Sequence, residues 1–178
     1  MNKKLKLEDL NRLSVLEFKE VEKDPIVVLL DNVRSLNNIG SVFRTCDAMG
    51  IKKMYLCGIT AQPPHREIRK TAIGASESID WEHEKSALEI LTKYRDLGYE
   101  IIAVEQTSKS VSLEKYQLTN EKILLVFGNE INGVSQKIID LCDLSLEIPQ
   151  WGTKHSINIS VSVGIVLWNL KKLFIKII

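Results

Sequence analysis

The chain has 178 residues, with 24 Lys and Arg against 23 Asp and Glu for a formal net charge of +1. That is the length of one domain with room for a real core, and the charge balance excludes polyanion binding by bulk electrostatics, so any such site must be local. The three cysteines, Cys46, Cys57 and Cys142, are odd in number and without a C-x-x-C pair, which argues against a disulfide framework and for free, buried thiols in a reducing compartment.

The N-terminus Met-Asn-Lys-Lys-Leu-Lys lacks the apolar region of a signal peptide, and no apolar run approaches the roughly 20 residues that span a bilayer. No membrane association is expected, and the cytoplasm is the expected location. Residues 5 to 21 place Leu7, Leu10, Leu13 and Val21 among Lys, Glu and Asp, which predicts an amphipathic helix; residues 1–25 are read as a short helical extension before a domain over 26–178. Ile26 to Leu30 is an unbroken apolar run of the kind found in a strand covered on both faces. A polar loop follows from Asp31 to Asn38, with Asn38 where a helix cap belongs. Ile39, Val42, Phe43, Cys46 and Met49 then repeat at helical spacing up to Gly50, and the wheel puts Arg44 and Ser41 opposite that apolar face.

Lys53 to Cys57 reads as a second strand, and a third is expected near Ile79 to Trp81. Between them the basic run His65-Arg66-Glu67-Ile68-Arg69-Lys70 follows Pro63-Pro64. It reads either as a solvated face or as the best local candidate for phosphate contacts. Residues 85 to 97 form the clearest helix of the middle region, stopped by Gly98. Ile101 to Val104, Ile123 to Phe127 and Leu144 to Ile148 are further strands, and Ser135 to Leu141 a helix entered through the loop Gly128 to Gly133. Strands alternating with helices predict an α/β fold, a mostly parallel sheet flanked by helices. Its polar loops then lie at the carboxyl ends of strands, where ligands of such sheets sit.

The stretch Ile148 to Leu170 reads two ways. Ile157, Ile159, Val161, Val163 and Ile165 alternate with Asn158, Ser160, Ser162 and Gly164 as in a strand, whereas Ile157, Val161, Ile165 and Trp168 share one helix face. Periodicity alone leaves both open.

Gly128 to Gly133 lacks the Lys-Ser/Thr of a P-loop, no G-x-G-x-x-G occurs, and no G-x-S-x-G elbow occurs. His65, His83 and His155 are scattered without metal-ligand spacing, so no metal is expected.

Three segments read together carry more than any one. Asn38-Ile39-Gly40-Ser41-Val42-Phe43-Arg44-Thr45, then Val126-Phe127-Gly128-Asn129-Glu130-Ile131-Asn132-Gly133-Val134-Ser135, then Ile148-Pro149-Gln150-Trp151-Gly152 with Ser156-Ile157-Asn158-Ile159-Ser160-Val161 resemble, in order and spacing, the three motifs of the SpoU (TrmH-like) RNA ribose 2′-O-methyltransferases of the SPOUT superfamily. The resemblance spans residues 26 to 170. It implies a sheet whose C-terminal segment forms a deep trefoil knot, S-adenosylmethionine bound in the knot, and a homodimer that completes the active site. It further implies a helix from about Asn158 onward.

Carried over by position, the resemblance implies that Gly128, Ile148, Gln150 and Ile157 hold the cofactor. Asn38, Arg44, Glu130, Ser156 and Asn158 fall on the catalytic and site-organising positions, with Glu130 expected to hold Arg44 within or across the subunit. Arg34, His65, Arg66, Arg69 and Lys70 are the expected RNA contacts. Three positions depart from the family pattern: Gln150 stands where Met is frequent, Ile157 where Leu is, and Ser162 where Ala is. The implied substrate is RNA, tRNA ahead of rRNA. The competing classes are a non-catalytic knotted RNA-binding or cofactor-sensing protein and a plain structural α/β domain.

Overall fold

Seven strands lie side by side in one sheet, and every neighbouring pair is parallel. The structure, a computed structural model, describes residues 1–175; the last three residues of the predicted 26–178 domain lie outside the described residues. The strands are β1 (Ile26–Asp31), β2 (Lys53–Cys57), β3 (Trp81–Glu84), β4 (Glu100–Val104), β5 (Val111–Ser112), β6 (Ile123–Phe127) and β7 (Leu144–Glu147), in the order β3-β2-β1-β6-β4-β7-β5 across the sheet. Apolar runs too short for helices and covered on both faces form the centre of the sheet. In β1, Ile26, Val28 and Leu30 enter the core on one face while Val27 and Leu29 enter that on the other. The expected third strand begins at Trp81 rather than Ile79, because Ser78 and Ile79 close a short helix before it. β5 was not expected: two residues carry no period.

The helices are α1 (Val15–Glu20), α2 (Leu36–Ala48), α3 (Arg66–Ala72), α4 (Ala75–Ser78), α5 (Ala87–Asp96), α6 (Gln136–Ile139) and α7 (Ile159–Ile175). On one face of the sheet α2, α3 and α7 cover β1 and β6; on the other α5 and α6 do so. Residue 40 must be small where α2 and α3 cross, since a Cβ on Gly40 would stand 2.4 Å from the Ile68 carbonyl oxygen. Cys46 and Cys57 are buried, as expected, but Cys142 is only half-buried, its Sγ donating to the Ile138 carbonyl at 3.2 Å. Burial pushes the Cys57 thiol up to about 12, so it packs as a small hydrophobe and not as a nucleophile.

Two expectations are corrected. Residues 5 to 21 do not form one helix: a 3-10 turn at Leu7–Leu10 ends at Asn11 in the left-handed region, and α1 restarts at Ser14. Ser14 and Glu17 cap each other, the Glu17 amide donating to Ser14 Oγ at 3.3 Å and the Ser14 amide to Glu17 Oε2 at 2.8 Å. The cap of α2 is Ser35, whose Oγ accepts from the Asn38 amide at 3.3 Å; Asn38 is thus inside the first turn, its side chain free for other partners.

The final stretch is a helix, as the resemblance implied. The Asn158 carbonyl accepts from the Val161 and Ser162 amides, and its Oδ1 accepts from the Ser160 amide at 2.9 Å. The face that Val161, Ile165 and Trp168 share by their spacing is not, however, the side that meets the core. Ile159, Val163, Val166, Leu167, Leu170 and Phe174 are buried, whereas Val161, Ile165 and Trp168 are 50%, 38% and 60% exposed. The element is apolar nearly all round, so its pattern cannot choose which side meets the core.

Candidate active site

The order of the strands reverses beside β1: β2 and β3 lie on one side of it, β6, β4 and β7 on the other. Ligands of open parallel sheets lie beyond the carboxyl ends of strands near such a reversal. A cleft of about 640 Å3 opens there, walled by the ends of β4, β6 and β7 and by residues 155–159 at the start of α7. Val104, Phe127, Leu146 and Ile148 give it an apolar side; Glu105, Gln106, Glu147 and Gln150 give it a polar one. This size and mixture suit a ligand as large as a nucleoside derivative.

All four expected cofactor residues, Gly128, Ile148, Gln150 and Ile157, line the cleft, as do Glu130, Ser156 and Asn158. The loop after β6 closes tightly: the Asn129 amide donates to the Gly133 carbonyl at 3.1 Å and the Gly133 amide returns a bond to the Asn129 carbonyl at 2.8 Å. The two limbs are so close that a Cβ on Gly128 would stand 2.1 Å from the Gly133 carbonyl carbon. Gly133 itself holds φ +63, a region glycine enters without steric cost.

Three loops distant in sequence are tied side chain to side chain. Asn158 Nδ2 donates to Asn38 Oδ1 at 3.1 Å, and Asn38 Nδ2 donates to Glu130 Oε1 at 3.2 Å. Glu130 also accepts from the Arg34 amide (Oε2) and the Ser35 amide (Oε1), each at 3.0 Å. Burial is the largest single influence on Glu130 and pushes its carboxyl up. The Arg34, Ser35 and Glu130 amides and the Asn38 side chain together more than offset it, so the group sits below the usual carboxylate range. Glu130 is therefore a carboxylate that clamps the entrance of α2.

That assignment corrects the expected Glu130–Arg44 bond within the chain. Arg44 lies nearly two turns further along α2 than Asn38, on its exposed side, and the three ion pairs among the described residues, Lys53–Glu82, Arg66–Glu67 and Lys171–Asp24, do not include it. The donors of the α2 entrance reach Glu130 first because Ser35 and Asn38 approach it directly. Ser156 is exposed at the rim.

Four of the five expected RNA contacts gather. His65, Arg66, Arg69 and Lys70 line a second cleft of about 550 Å3 on and beside α3. Arg34 is apart from them, exposed on the loop before α2. The two regions share a support, since Thr71 Oγ1 of α3 donates to the Asn37 carbonyl at the start of α2 at 3.1 Å.

Two organising residues escaped the sequence. Asn129 is buried, donating through Nδ2 to the Asn32 carbonyl at 2.7 Å and accepting through Oδ1 from the Ile131 and Asn132 amides. Glu105 accepts from the Val134 amide at 2.8 Å and so anchors the same loop from β4. The available signal for Glu105 was its place directly after an apolar strand, at the carboxyl end.

Comparison with known proteins is consistent with this geometry. Residues 25–168 match the sequence model of the SpoU rRNA Methylase family. The chain is 29% identical over 162 residues to a tRNA (guanosine(18)-2'-O)-methyltransferase of Aquifex aeolicus, covering 88% of this chain and 73% of that protein. It is 28% identical to the 23S rRNA (guanosine-2'-O-)-methyltransferase RlmB of Neisseria meningitidis, covering 84% of this chain and 59% of that protein. Among solved structures, the A. aeolicus TrmH/SpoU tRNA modifying enzyme superposes with a TM-score of 0.81 at 26% identity, over 91% of this chain and 81% of that one. The SpoU methyltransferase AviRb of Streptomyces viridochromogenes, solved in complex with AdoMet, has the same fold, with a TM-score of 0.78 at 24% identity over 90% of this chain and 65% of that one.

Proposed function

The chain belongs to the SpoU rRNA methylase family, and from that membership we propose that it is an S-adenosylmethionine-dependent RNA ribose 2′-O-methyltransferase. The observation that carries the proposal is the row Asn158–Asn38–Glu130, which joins the three motif loops at the edge of a nucleoside-sized cleft. S-adenosylmethionine fits that cleft: the apolar wall of Leu146 and Ile148 suits an adenine, and the close approach at Gly128 leaves room for a flat ligand but not for a side chain. Gly128, Ile148, Gln150 and Ile157 hold it.

When bound, the cofactor supplies an electrophilic methyl group on a sulfonium. The chain's own part is to bring a ribose hydroxyl into line with that methyl and to dispose of its proton. Asn38, Ser156 and Asn158 offer short neutral donors and acceptors along the approach, and Glu130 keeps Asn38 oriented through its amide. A guanidinium donates and does not accept. We therefore assign Arg44 to orienting the ribose hydroxyl and the adjacent phosphate; as the oxygen bonds the methyl and the sulfonium becomes a neutral thioether, the hydroxyl proton is released to solvent water.

The substrate we favour is tRNA, the named substrate of the Aquifex relative; rRNA is the second reading because the Neisseria relative is named for it. His65, Arg66, Arg69, Lys70 and Arg34 contact the RNA backbone, a role supported by the basic cleft on α3. We assign the working protein to a homodimer that completes the active site. Val161, Ile165 and Trp168, all exposed on one side of α7, are the surface for a second copy. A deep trefoil knot in the C-terminal segment is supported by the path of α7, which leaves the β7 side, borders the Gly128 loop in the cleft and buries its apolar face beside β1. Residues 1–25 are an extension to the 26–178 methyltransferase domain. The free thiols of Cys46 and Cys57 favour the cytoplasm, and among the described residues no helix is long and apolar enough to cross a membrane.

The deciding experiment is transfer of labelled methyl from S-adenosylmethionine to bulk tRNA and rRNA. We expect transfer by the native chain and loss of at least about a hundredfold in Arg44→Ala, the scale of removing one charged group from a transition state. Full activity in Arg44→Ala removes its assigned role; cofactor binding without transfer to any RNA supports the non-catalytic reading instead.

A further inference from the structure

The segment between β7 and α7 has its two shoulders in the cleft and its tip outside it. Gln150 and His155 line the cleft, and the His155 carbonyl accepts from Gln106 Nε2 at 2.7 Å, which pins the far shoulder to the end of β4. Between them Trp151, Gly152, Thr153 and Lys154 are all exposed, Trp151 by 89%. An indole is the largest apolar side chain a protein carries, and leaving it in water at the rim of a binding cleft forgoes its whole burial energy.

Two other features of the rim say what covers it. Ile131, on the loop opposite in sequence but lining the same cleft, is 76% exposed, so the rim presents apolar surface from both motif loops. Lys154, three residues from the indole on the same tip, supplies a cation for an anionic chain. A flat apolar face beside a cation is the requirement of an unstacked nucleobase with its phosphate.

We propose that Trp151 is the platform on which the target nucleobase stacks while its ribose hydroxyl enters the site beside Asn158. This rests on the methyltransferase reading and deepens it. The stack is to a base face and not to base edges, so Trp151 selects unpaired nucleotides over paired ones without dictating sequence. It is a positioning residue, since it touches the base and not the reacting atoms.

The test compares the full-length native protein with Trp151→Ala and Trp151→Phe. Base stacking on an aromatic residue is worth about 1–3 kcal/mol, which predicts a rise of about 5- to 150-fold in KM for bulk tRNA in Trp151→Ala. Trp151→Phe recovers most of that loss, and S-adenosylmethionine affinity by calorimetry stays within about twofold in both variants. An RNA hexamer carrying one 2-aminopurine provides a readout independent of methyl transfer: its fluorescence is quenched by the native protein and not by Trp151→Ala. Unchanged KM and quenching in Trp151→Ala overturn the proposal. So does weakened cofactor binding, which would place the indole in the cofactor pocket, or a change of oligomeric state by ultracentrifugation, which would place it between subunits. If the native protein methylates no RNA, the enzymatic reading fails by itself, and loss of quenching in Trp151→Ala still decides whether the indole takes a base.

Discussion

Gly128→Ala is the perturbation whose consequence follows most directly from the geometry. The new Cβ would stand 2.1 Å from the Gly133 carbonyl carbon and 2.2 Å from both the Gly133 oxygen and the Val134 nitrogen. All three are backbone atoms, so no side chain can swing aside, and the limbs of the loop must separate by roughly 1 Å before contact is tolerable. The two bonds between Asn129 and Gly133 span that gap, and the Val134 amide bond to Glu105 fixes the second limb against the end of β4. Losing two of them costs about 1 kcal/mol each, and overpacking adds about 1–3 kcal/mol. The sum of about 3–5 kcal/mol corresponds to a fall of about 10 °C in Tm at this chain length. The same loop walls the cleft proposed for the cofactor, so S-adenosylmethionine affinity measured by calorimetry falls at least about tenfold. Gly152→Ala is the control for stability: nothing lies within 4 Å of its added Cβ, and its Tm stays within about 1 °C of the native value. A Gly128→Ala protein with native Tm and native cofactor affinity would refute both the close approach and the placement of the pocket.

Glu130→Gln replaces one carboxylate oxygen by an amide that faces an N–H, against donors at 3.0 Å from Arg34 and Ser35 and 3.2 Å from Asn38. Methyl transfer to bulk tRNA should fall about tenfold or more while cofactor affinity changes little; equal losses in both would show that Glu130 shapes the cleft rather than the α2 entrance. Because its folded carboxyl is held below the usual range, the contribution of Glu130 is complete above its unfolded value and is lost only as pH falls through the lowered folded one. Native stability measured by denaturant titration should therefore show an acid limb below the ordinary carboxylate range that is smaller in Glu130→Gln, where the lowered Glu17 and Glu82 carboxyls remain, and identical limbs in the two proteins would contradict the clamp. Trp168→Glu puts a charge at the far end of the exposed α7 stripe; ultracentrifugation should show the proposed homodimer weakened at least about thirtyfold, and a dimer unmoved by this change would place the self-interface elsewhere.

Much of this architecture was legible because it depends on local patterns. Ile26 to Leu30, Lys53 to Cys57, Ile101 to Val104 and Ile123 to Phe127 announce strands by composition, and all lie in the sheet within a residue or so of their expected bounds. The Gly50 and Gly98 stops hold for the same reason: both sit at positive φ just beyond a helix. The cap of α2 was misplaced by three residues because Ser35 and Asn38 both favour caps, and only the path of the chain chooses between them. The alternation after Ile157 leaves strand and helix open for a related reason. A segment apolar on nearly every side satisfies both periods, and the choice falls to whichever form satisfies its backbone where it crosses the face of the sheet.

The sequence by itself determined the class of fold, the polar loops at strand ends and, through three motif-like segments, which residues to watch. Only the tertiary structure decided that Asn158 meets Asn38 across 120 residues, that Asn38 meets Glu130 across 92, and that Val161, Ile165 and Trp168 face away from the core. The division is physical. Periodicity records which neighbours within a few residues share a face, whereas the order of parallel strands, and with it the meeting of their end loops, is set by the packing of elements that no local pattern encodes.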